Sequence, residues 1–382
     1  MRRLRRLQLS AIIGVALICA VAGHAQTPGK LRSPAEATVE NPLTRPEIEA
    51  LLQKFRGQSL TFASWGGALQ AAQRQAYLEP FEKQFGVKFV EDTNPLQPKI
   101  QAMVEAKNVT IDVVDLGLRQ SSDLATRNGL ETLDFRIVDR RRTLDIWKSE
   151  YSGGGGAVWA TVLAYRDGVR KPVSWEDFWD VKGFPGRRGF SQFLAGHLEF
   201  PLLAVGIAPK DIKFPLTPAQ EQIAFDKLKE LAPSVTLFWN SGSAPPELLI
   251  KGEVDYTTAW NGRIFDAQKQ GAPIKVCWEC GFVVGIDAFS IPKGSPKKEL
   301  AQLFIAWTAF PENNVRLSQV SSYGPTDQES VKMLSKLVDR TTLRELPGSE
   351  ANRQWAVFED GRWVGQNTER LNPPYQALFQ KR

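Results

Sequence analysis

The sequence predicts an α/β protein built from two lobes. Strand-like apolar runs alternate with amphipathic helices along most of the chain, which is the pattern of parallel sheets covered by helices. The clearest unit spans residues 59–93, where a strand at 60–63, a helix and a second strand at 87–90 follow one another. With 382 residues, the chain is long enough for two medium-sized domains with cores of their own.

Two glycines connect the first strand of this unit to its helix. Gly66 and Gly67 follow Trp65, and residues without a Cβ reach backbone dihedrals that other residues resist. The helix carries its apolar residues at helical spacing and stops at Gly86, a good C′ residue. Trp65 is thereby predicted at the carboxyl end of a strand, the edge at which open α/β sheets bind ligands.

Charge argues for export and against a nucleic-acid partner. The formal net charge is +6, but the first 25 residues contain four arginines and no acid, so +2 remains on the rest of the chain. A nucleic-acid-binding protein would need a clustered basic face. The basic balance therefore indicates a targeting segment, and we expect no nucleic-acid partner.

Residues 1–25 are predicted to be a signal peptide. Arginines near the N-terminus precede a short apolar stretch at 9–22, and small residues mark a cleavage site before Gln26. A stretch of about 14 apolar residues is short for a membrane span. Ile18 before Cys19 is too large for the usual lipoprotein signal. The protein is expected in the periplasm, with the general and twin-arginine routes both open.

Residues 26–58 are expected to form a tether and an N-terminal helix. Pro, Ala and Glu residues over 26–42 predict a mobile segment. Thr44 followed by Glu47, with Pro46 between them, predicts a helix that begins with a capping box. We expect this helix to pack on the outside of a lobe.

Two features of the middle of the chain invite a functional interpretation that the pattern does not favour. Glycines at 153–156 could cradle a phosphate, but a Walker loop needs Gly-Lys-Ser/Thr before a helix, and here a strand follows at 157–165. A flexible crossover between lobes is the better interpretation. Asp115 ends a strand at 111–116, where capping or solvent exposure is favoured over ligand contact because Asp is common just past strands.

Several short motifs recur in an order that identifies a family. In chain order they are Phe81-Glu82-Lys83-Gln84-Phe85-Gly86, Ser174-Trp175-Glu176-Asp177-Phe178-Trp179, Trp260-Asn261-Gly262, Asp287-Ala288, Ile291-Pro292-Lys293-Gly294 and Tyr323-Gly324-Pro325-Thr326. Over residues 59–330 this series resembles periplasmic solute-binding proteins of the polyamine type, which serve ABC importers. The resemblance implies a type II fold of two lobes, each a mixed, mainly parallel sheet flanked by helices, with the ligand cleft between them.

The resemblance also implies that the chain crosses between the lobes more than once. Crossovers are expected near 157–163, 258–264 and 310–318. The resulting division is 59–160 plus 262–312 for lobe 1 and 161–261 plus 313–382 for lobe 2. The tail, 331–382, should brace one lobe.

Aromatic residues are implied as the walls of the cleft. In the family, aromatic residues at the positions of Trp65, Trp260 and Tyr323 sandwich an alkylammonium ligand, and Trp239 also ends a strand. A cation over an indole face gains roughly 0.5–2 kcal/mol, although core packing explains many tryptophans equally well. The predicted ligand-binding residues are Trp65, Gly66, Trp239, Trp260, Arg263, Glu279, Asp287 and Tyr323.

Arg263 departs most clearly from the family pattern. Putrescine binders have an acid at this position, whereas an arginine would repel a diamine and suit a carboxylate, phosphonate or sulfonate through bidentate pairing. Its place at a helix start opposes the helix dipole, which favours a specific partner over a solvent-exposed side chain. Ala68, Gly117 and Gly285 are further departures, where the family has a tyrosine, a serine and an aromatic residue. Glu279 and Asp287 remain to pair with a buried ammonium group.

Cys277 and Cys280 are the two cysteines that remain after signal removal. In an oxidising periplasm a local disulfide is the natural expectation, with free thiols as the alternative. A redox motif would lie at a helix N-terminus, and zinc would need further ligands when His197 is the one mature histidine. We expect no metal and no cofactor.

These features together predict a periplasmic substrate-binding subunit of an ABC importer. It would act as a monomer, capture a small polyamine-like solute in an aromatic-lined cleft, and deliver it to a permease in the inner membrane. The alternative ligand is a zwitterion or anion, such as an amino acid, opine or aminophosphonate, paired to Arg263. A secreted carbohydrate-active enzyme is less favoured, since no catalytic triad or named carboxylate pair emerges.

Overall fold

A computed structural model describes residues 31–379. The predicted signal peptide and the first tether residues, 26–30, lie outside the described residues. Within residues 31–379, no helix is both long and apolar enough to cross a membrane.

The described residues form strands and helices that we number in chain order. The strands are β1 (Ser59–Ala63), β2 (Lys88–Asp92), β3 (Val113–Gly117), β4 (Ser152–Arg166), β5 (Arg188–Ser191), β6 (Val235–Trp239), β7 (Tyr256–Trp260), β8 (Ile274–Cys277), β9 (Phe282–Ser290) and β10 (Ala356–Phe358). The helices are α1 (Arg45–Leu52), α2 (Gly67–Gln73), α3 (Glu79–Phe85), α4 (Gln97–Glu105), α5 (Leu118–Thr126), α6 (Trp175–Trp179), α7 (Phe200–Ala204), α8 (Pro218–Leu231), α9 (Ala244–Ile250), α10 (Asn261–Lys269), α11 (Lys298–Ala309), α12 (Pro311–Asn314), α13 (Arg316–Val320), α14 (Gln328–Leu337), α15 (Arg340–Arg344), α16 (Glu350–Arg353) and α17 (Gly361–Ala377).

The strands form a mixed sheet in the order β2-β1-β3-β9-β4-β7-β5-β6, with β10 beside β9 and β8 beside β4. β1 runs parallel to β2 and β3, and β5 runs parallel to β6 and β7. Parallel neighbours need crossover connections, and helices supply them here. The α/β prediction is confirmed.

The long strands β4 and β9 join the two groups of parallel strands. The start of β4 pairs with the end of β9, next to β3, whereas the end of β4 pairs with β7 and β8. The predicted crossover at 157–163 falls within β4. Helix α10 packs mainly on β7, on β8 and on β4, with a smaller contact to α2. The sequence-based division nevertheless placed this helix in lobe 1.

This packing suggests a different division of the chain. We propose that the second crossover lies in β9, at 282–290, rather than at 258–264, because β9 leads from the second group of strands to β3. We place the third crossover between Tyr323 and β10. Tyr323 packs in the same hydrophobic cluster as Phe289 at the end of β9, whereas β10 pairs with the start of β9. That crossing comes later than the predicted 310–318.

Aromatic side chains fill both cores. On one side of the molecule, Phe81 and Phe289 lie in one cluster with Phe304, and the ring centroids of Phe81 and Phe304 are 5.0 Å apart. On the other, Trp175 stacks on Phe200 with centroids 3.8 Å apart. Each fully buried large apolar side chain contributes about 1.5–3 kcal/mol.

The N-terminal helix begins as predicted. Thr44 and Glu47 form the expected capping box at the start of α1. Glu47 also pairs with Arg32, Nε to Oε1 at 2.8 Å, and the hydrogen bond from Arg32 is the main reason that the pKa of Glu47 falls to about 2. Within the described part of the tether, Arg32 and the buried Ala37 thus contact the rest of the protein, whereas residues 38–41 are exposed.

The four glycines at 153–156 lie inside β4 and do not form a flexible loop. A bulge between Gly153 and Ala157 interrupts the register with β9. The N–H of Gly155 donates to Thr308 Oγ1 at 2.9 Å. The run of small residues thus lets α11 pack closely on the strand, which corrects the predicted loop.

Cys277 and Cys280 form a disulfide in the turn between β8 and β9. Replacing both by serine should lower the free energy of unfolding by about 2 kcal/mol, the entropic value for so short a loop. Ligand affinity should stay unchanged, because the bridge lies at the far end of β9 from Asp287. Urea unfolding and calorimetric titration check the two expectations. A mass increase of two hydrogens on reduction should accompany them, and two free thiols in periplasm-purified protein would contradict the bridge.

Candidate functional site

The turn between β1 and α2 presents Trp65. Gly66 has φ +65° and Gly67 has φ +56°, the left-handed region that favours glycine. The N–H of Gly66 donates to Gln70 Oε1 at 3.0 Å. Gly66 therefore shapes the turn, and its N–H is already used within the protein. Trp65 is half-buried, and its buried Nε1 has no hydrogen-bond partner among the described residues.

Two aspartates meet where β3 lies beside β9. Gly117 is opposite Asp287 in the antiparallel register, and Asp115 lies two residues earlier on the same face. Asp115 is fully buried, so the expectation that it caps a strand or faces solvent is wrong. The physical reason is the pairing of β3 with β9, which covers the strand end.

Uncharged donors hold Asp115 in place. Gln73 Nε2 donates to its Oδ2 at 2.8 Å, and Ser64 Oγ lies 3.1 Å from the same oxygen. The other oxygen, Oδ1, is buried and has no partner within the described part of the chain. Asp287 Oδ1 accepts from Trp159 Nε1 at 2.8 Å.

Burial governs the electrostatics of this pair. It raises the pKa of Asp115 to about 7, even though the hydrogen bonds from Gln73 and Ser64 act in the opposite direction. It also raises the pKa of Asp287 well above its ordinary value, and the neighbouring Asp115 raises it further. A cation placed beside the two carboxyl groups would favour their ionised forms.

Trp159 is a site residue that sequence reasoning missed. It lies on β4 directly opposite Gly285 of β9, and its ring occupies the space where a side chain at position 285 would be. The aromatic group that the family has at position 285 is thus replaced from the neighbouring strand. The signal in the sequence that could have pointed to Trp159 was a tryptophan on one predicted strand and a glycine on another.

Trp260 and Trp239 have different surroundings. Trp260 is half-buried between Phe193, stacked at 5.8 Å, and Trp159 at 6.4 Å. Trp239 is buried and packs edge-on against Trp260 and His197, both at 5.9 Å. Trp239 therefore supports Trp260 from behind.

Arg263 extends across the site to the β1–α2 turn. Its Nη1 lies 2.8 Å from the point that a Cβ on Gly67 would occupy. Its Nε is buried with no hydrogen-bond partner, and no carboxylate of residues 31–379 lies within 4.0 Å of its nitrogens. The side chain is half-buried and does not extend into solvent. Asp266, one turn further along α10, acts electrostatically on Arg263 but makes no hydrogen bond or ion pair with it among the described contacts. A half-buried guanidinium group whose Nε lacks a partner indicates a role beyond packing.

Tyr323 is buried close to the start of α10. Its hydroxyl is next to Gly262, since a Cβ there would lie 2.3 Å from it. Burial raises the pKa of Tyr323 above its ordinary value, and the charges of Arg263, Asp266, Asp287 and Asp115 all act on it. Tyr323 is therefore near both the arginine and the buried pair of aspartates.

Glu279 is not brought to this cluster. It is exposed in the disulfide turn, with Lys171 Nζ 3.9 Å from its Oε1. Asp287 is five residues beyond the first residue of β9, Phe282, or about 17 Å along the strand. We therefore leave Glu279 out of the site.

A surface cavity of about 620 Å³ lies elsewhere, lined by Arg140, Lys148 and Arg362 among others. None of the predicted site residues lines it. Arg140 and Arg362 each donate to a backbone carbonyl at 3.1 Å, and Lys148 pairs with Asp145 at 2.7 Å. Its cations already have partners, so we place no ligand there. No cluster of three or more His, Cys, Asp or Glu side chains that could hold a metal occurs among residues 31–379.

Similarity to known proteins shows the family of this chain. The family of bacterial extracellular solute-binding proteins matches residues 76–343, well over half of the chain. The chain belongs to this family. The gamma-aminobutyric acid-binding protein of Pseudomonas aeruginosa is 35% identical over 333 residues, which are 86% of this chain and 93% of that protein.

Solved structures extend the agreement to the fold. An ABC transporter substrate-binding protein from Bradyrhizobium japonicum is 31% identical, with a TM-score of 0.78 over 85% of this chain and 100% of that one. The binding protein MotA of A. tumefaciens B6, in complex with glucopine, is 26% identical, with a TM-score of 0.76 over 84% and 99%. The predicted family and the two-lobed type II fold are confirmed. This solute-binding protein is a substrate-binding subunit of an ABC transporter, and its family is one of transport proteins rather than enzymes.

Proposed function

We propose that this protein is a periplasmic receptor for a small zwitterion that carries an amine at one end and a carboxylate at the other, such as an ω-amino acid. The observation that carries the proposal is the presence near Tyr323 of Arg263, whose Nε has no hydrogen-bond partner among residues 31–379, and of the buried pair Asp115 and Asp287. Opposite charges at two ends of one site match opposite charges at two ends of one ligand.

The carboxylate end is formed by Arg263 and the start of α10. A guanidinium group binds a carboxylate through two parallel hydrogen bonds, and its charge is permanent. The N-terminus of α10 adds unpaired backbone N–H groups and a favourable dipole for an anion. An anion here also compensates for the unfavourable position of an arginine in the first helical turn.

The amine end is formed by Asp115 and Asp287. An ammonium group that leaves water must be paired with a negative charge, and one ionised carboxyl of this pair supplies it. The half-buried rings of Trp65, Trp159 and Trp260 are the candidate walls, and a cation over such a face gains about 0.5–2 kcal/mol.

Two observations favour a zwitterion over the polyamine-like solute. The second ammonium of a diamine would meet Arg263, and like charges in a desolvated site repel. The similar protein from Pseudomonas aeruginosa is named for gamma-aminobutyric acid, which has the predicted pair of end groups. On this basis the receptor closes its lobes over the solute and, as a monomer, delivers it to a permease in the inner membrane.

A melting-temperature panel tests the proposal on the mature protein. γ-Aminobutyrate and 5-aminovalerate should raise the melting temperature by several degrees, since ligand at 100 times Kd stabilises by about 2.7 kcal/mol. Butyrate, butylamine and putrescine are the matched controls that each lack one of the two end groups. A shift with putrescine alone, or with none of the ω-amino acids at millimolar concentration, would overturn the proposal.

A further inference from the structure

We propose that Gln120 supplies a third acceptor at the amine end and makes the receptor selective for primary ammonium groups over N-methylated ones. The inference rests on the proposed function and adds to it a residue and a class of substrate. No feature of the sequence pointed to Gln120.

Two of the three acceptor oxygens lie around the space next to the Cα atom of Gly117. A Cβ on Gly117 would lie 2.3 Å from Gln120 Oε1 and 3.4 Å from Asp287 Oδ1. Both oxygens thus surround one point, so a single nitrogen near it can hydrogen-bond to both. Any larger residue at position 117 would fill this space.

Asp115 supplies the third acceptor. It precedes Gly117 by two residues on β3, and its side chain lies on the same face. It is fully buried, and its Oδ1 has no partner within the described residues. A buried carboxylate oxygen without a donor indicates a group that is supplied from outside the chain.

Gln120 has no evident structural task. It lies in the first turn of α5, and its side chain makes no hydrogen bond to any other described residue. The N-cap residue is Gly117, and no side-chain hydrogen bond caps the helix there. The Gln120 Oε1 lies over Gly117, near the point that Asp287 Oδ1 also approaches.

Three acceptors match the three donors of a primary ammonium group. A nitrogen with three N–H bonds can satisfy Asp115, Asp287 and Gln120 at once. One N-methyl group replaces a donor by an apolar group, and a desolvated acceptor then stays unpaired. A trimethylammonium group offers no donor at all, so affinity should fall at each step of the series.

Calorimetric titration at pH 8 with γ-aminobutyrate and its N-methyl and N,N,N-trimethyl derivatives tests the inference. The parent protein should bind the primary amine at least tenfold more tightly than the N-methyl compound. Gln120→Leu should weaken γ-aminobutyrate about tenfold and leave the N-methyl compound nearly unchanged, so that the preference disappears. Gln222→Leu, an exposed glutamine on α8, is the matched control and should keep the preference.

The outcomes separate this inference from the proposed function. A Gln120→Leu protein that binds γ-aminobutyrate with the parent's preference overturns the role of Gln120 and leaves the zwitterion receptor standing. A parent protein that binds no ω-amino acid overturns both. If Gln120→Leu does not fold, Gln120→Met, which keeps an unbranched side chain without the amide acceptor, should abolish the preference, and a retained preference overturns the inference.

Discussion

Replacing Arg263 by alanine will weaken the binding of γ-aminobutyrate by about 30- to 4,000-fold. No carboxylate of residues 31–379 lies within 4.0 Å of the Arg263 nitrogens, although Asp266 acts on the side chain electrostatically, so a ligand carboxylate would make the direct ion pair that the described residues do not supply. Truncating one partner of a desolvated, hydrogen-bonded charge pair costs about 2–5 kcal/mol. Calorimetric titration at low and moderate salt measures the loss.

Two further variants make this result specific. Arg263→Lys keeps the charge but loses the planar two-pronged contact, so it should recover only part of the affinity. Lys269→Ala removes an exposed cation from the same helix and should change little. An Arg263→Ala protein that binds γ-aminobutyrate as tightly as the parent does would remove the carboxylate end from the proposal. An equal loss of affinity for butylamine would show a general disruption of the site.

Replacing Asp115 by asparagine should weaken ligand binding and stabilise the ligand-free protein. The amide keeps an oxygen for Gln73 and Ser64 but brings no charge for the ammonium group, so affinity at pH 8 should fall about 100-fold. The free energy of unfolding at pH 8 should rise by on the order of 2 kcal/mol, because a buried ionised carboxyl group is removed. If Asp115 had a purely structural role, its replacement would lower both the ligand affinity and the free energy of unfolding.

The pH dependence has a definite sign. The pKa of Asp115 is about 7 in the folded protein and near 3.8 when it is exposed, so between these values the folded state holds more protons. The contribution of Asp115 to the free energy of unfolding of the ligand-free protein therefore falls as the pH rises from 4 to 7. Affinity for an ammonium ligand should rise from pH 6 to 8, since Asp115, with its pKa of about 7, ionises over that range.

The groups that face Asp115 support assigning this change to the carboxyl pair. They are Asp287, Tyr77 and Tyr323, and burial raises the pKa of both tyrosines, which stay neutral over this range. Asp115→Asn should flatten both the stability and the affinity profiles, whereas Asp226→Asn, an exposed acid on α8, should leave them unchanged. Parallel profiles in the Asp115→Asn protein and its parent would contradict the assignment.

The amount that sequence reasoning could predict varied with the distance between interacting residues. The strand, glycine turn and helix around Trp65 were predictable because residues within one short segment determine them. The capping box at Thr44 and Glu47 was predictable for the same reason. Arg263 stood out because it replaces an acid in an otherwise matching motif.

The remaining site residues depend on contacts that no local pattern contains. Trp159 donates to Asp287 from 128 residues away, and Asp115 is buried because β3 pairs with the distant β9. Glu279 was assigned to the site from its motif, yet the direction of β9 carries it to the opposite end of the strand. Strand register decides each of these positions, and a shift of one residue would turn the side chain to the other face.

By itself, the sequence determined that this chain is an α/β solute-binding protein with a tryptophan at a strand end and an arginine where a diamine receptor would have an acid. These properties follow from local spacing and residue chemistry. Only the tertiary structure decided that Asp287 and Gln120 meet above Gly117, and that Arg263 reaches the turn at Gly67. These contacts depend on how strands and helices from distant parts of the chain pack against one another. The burial of apolar surface is non-directional, so side-chain shape and strand register decide which residues come into contact.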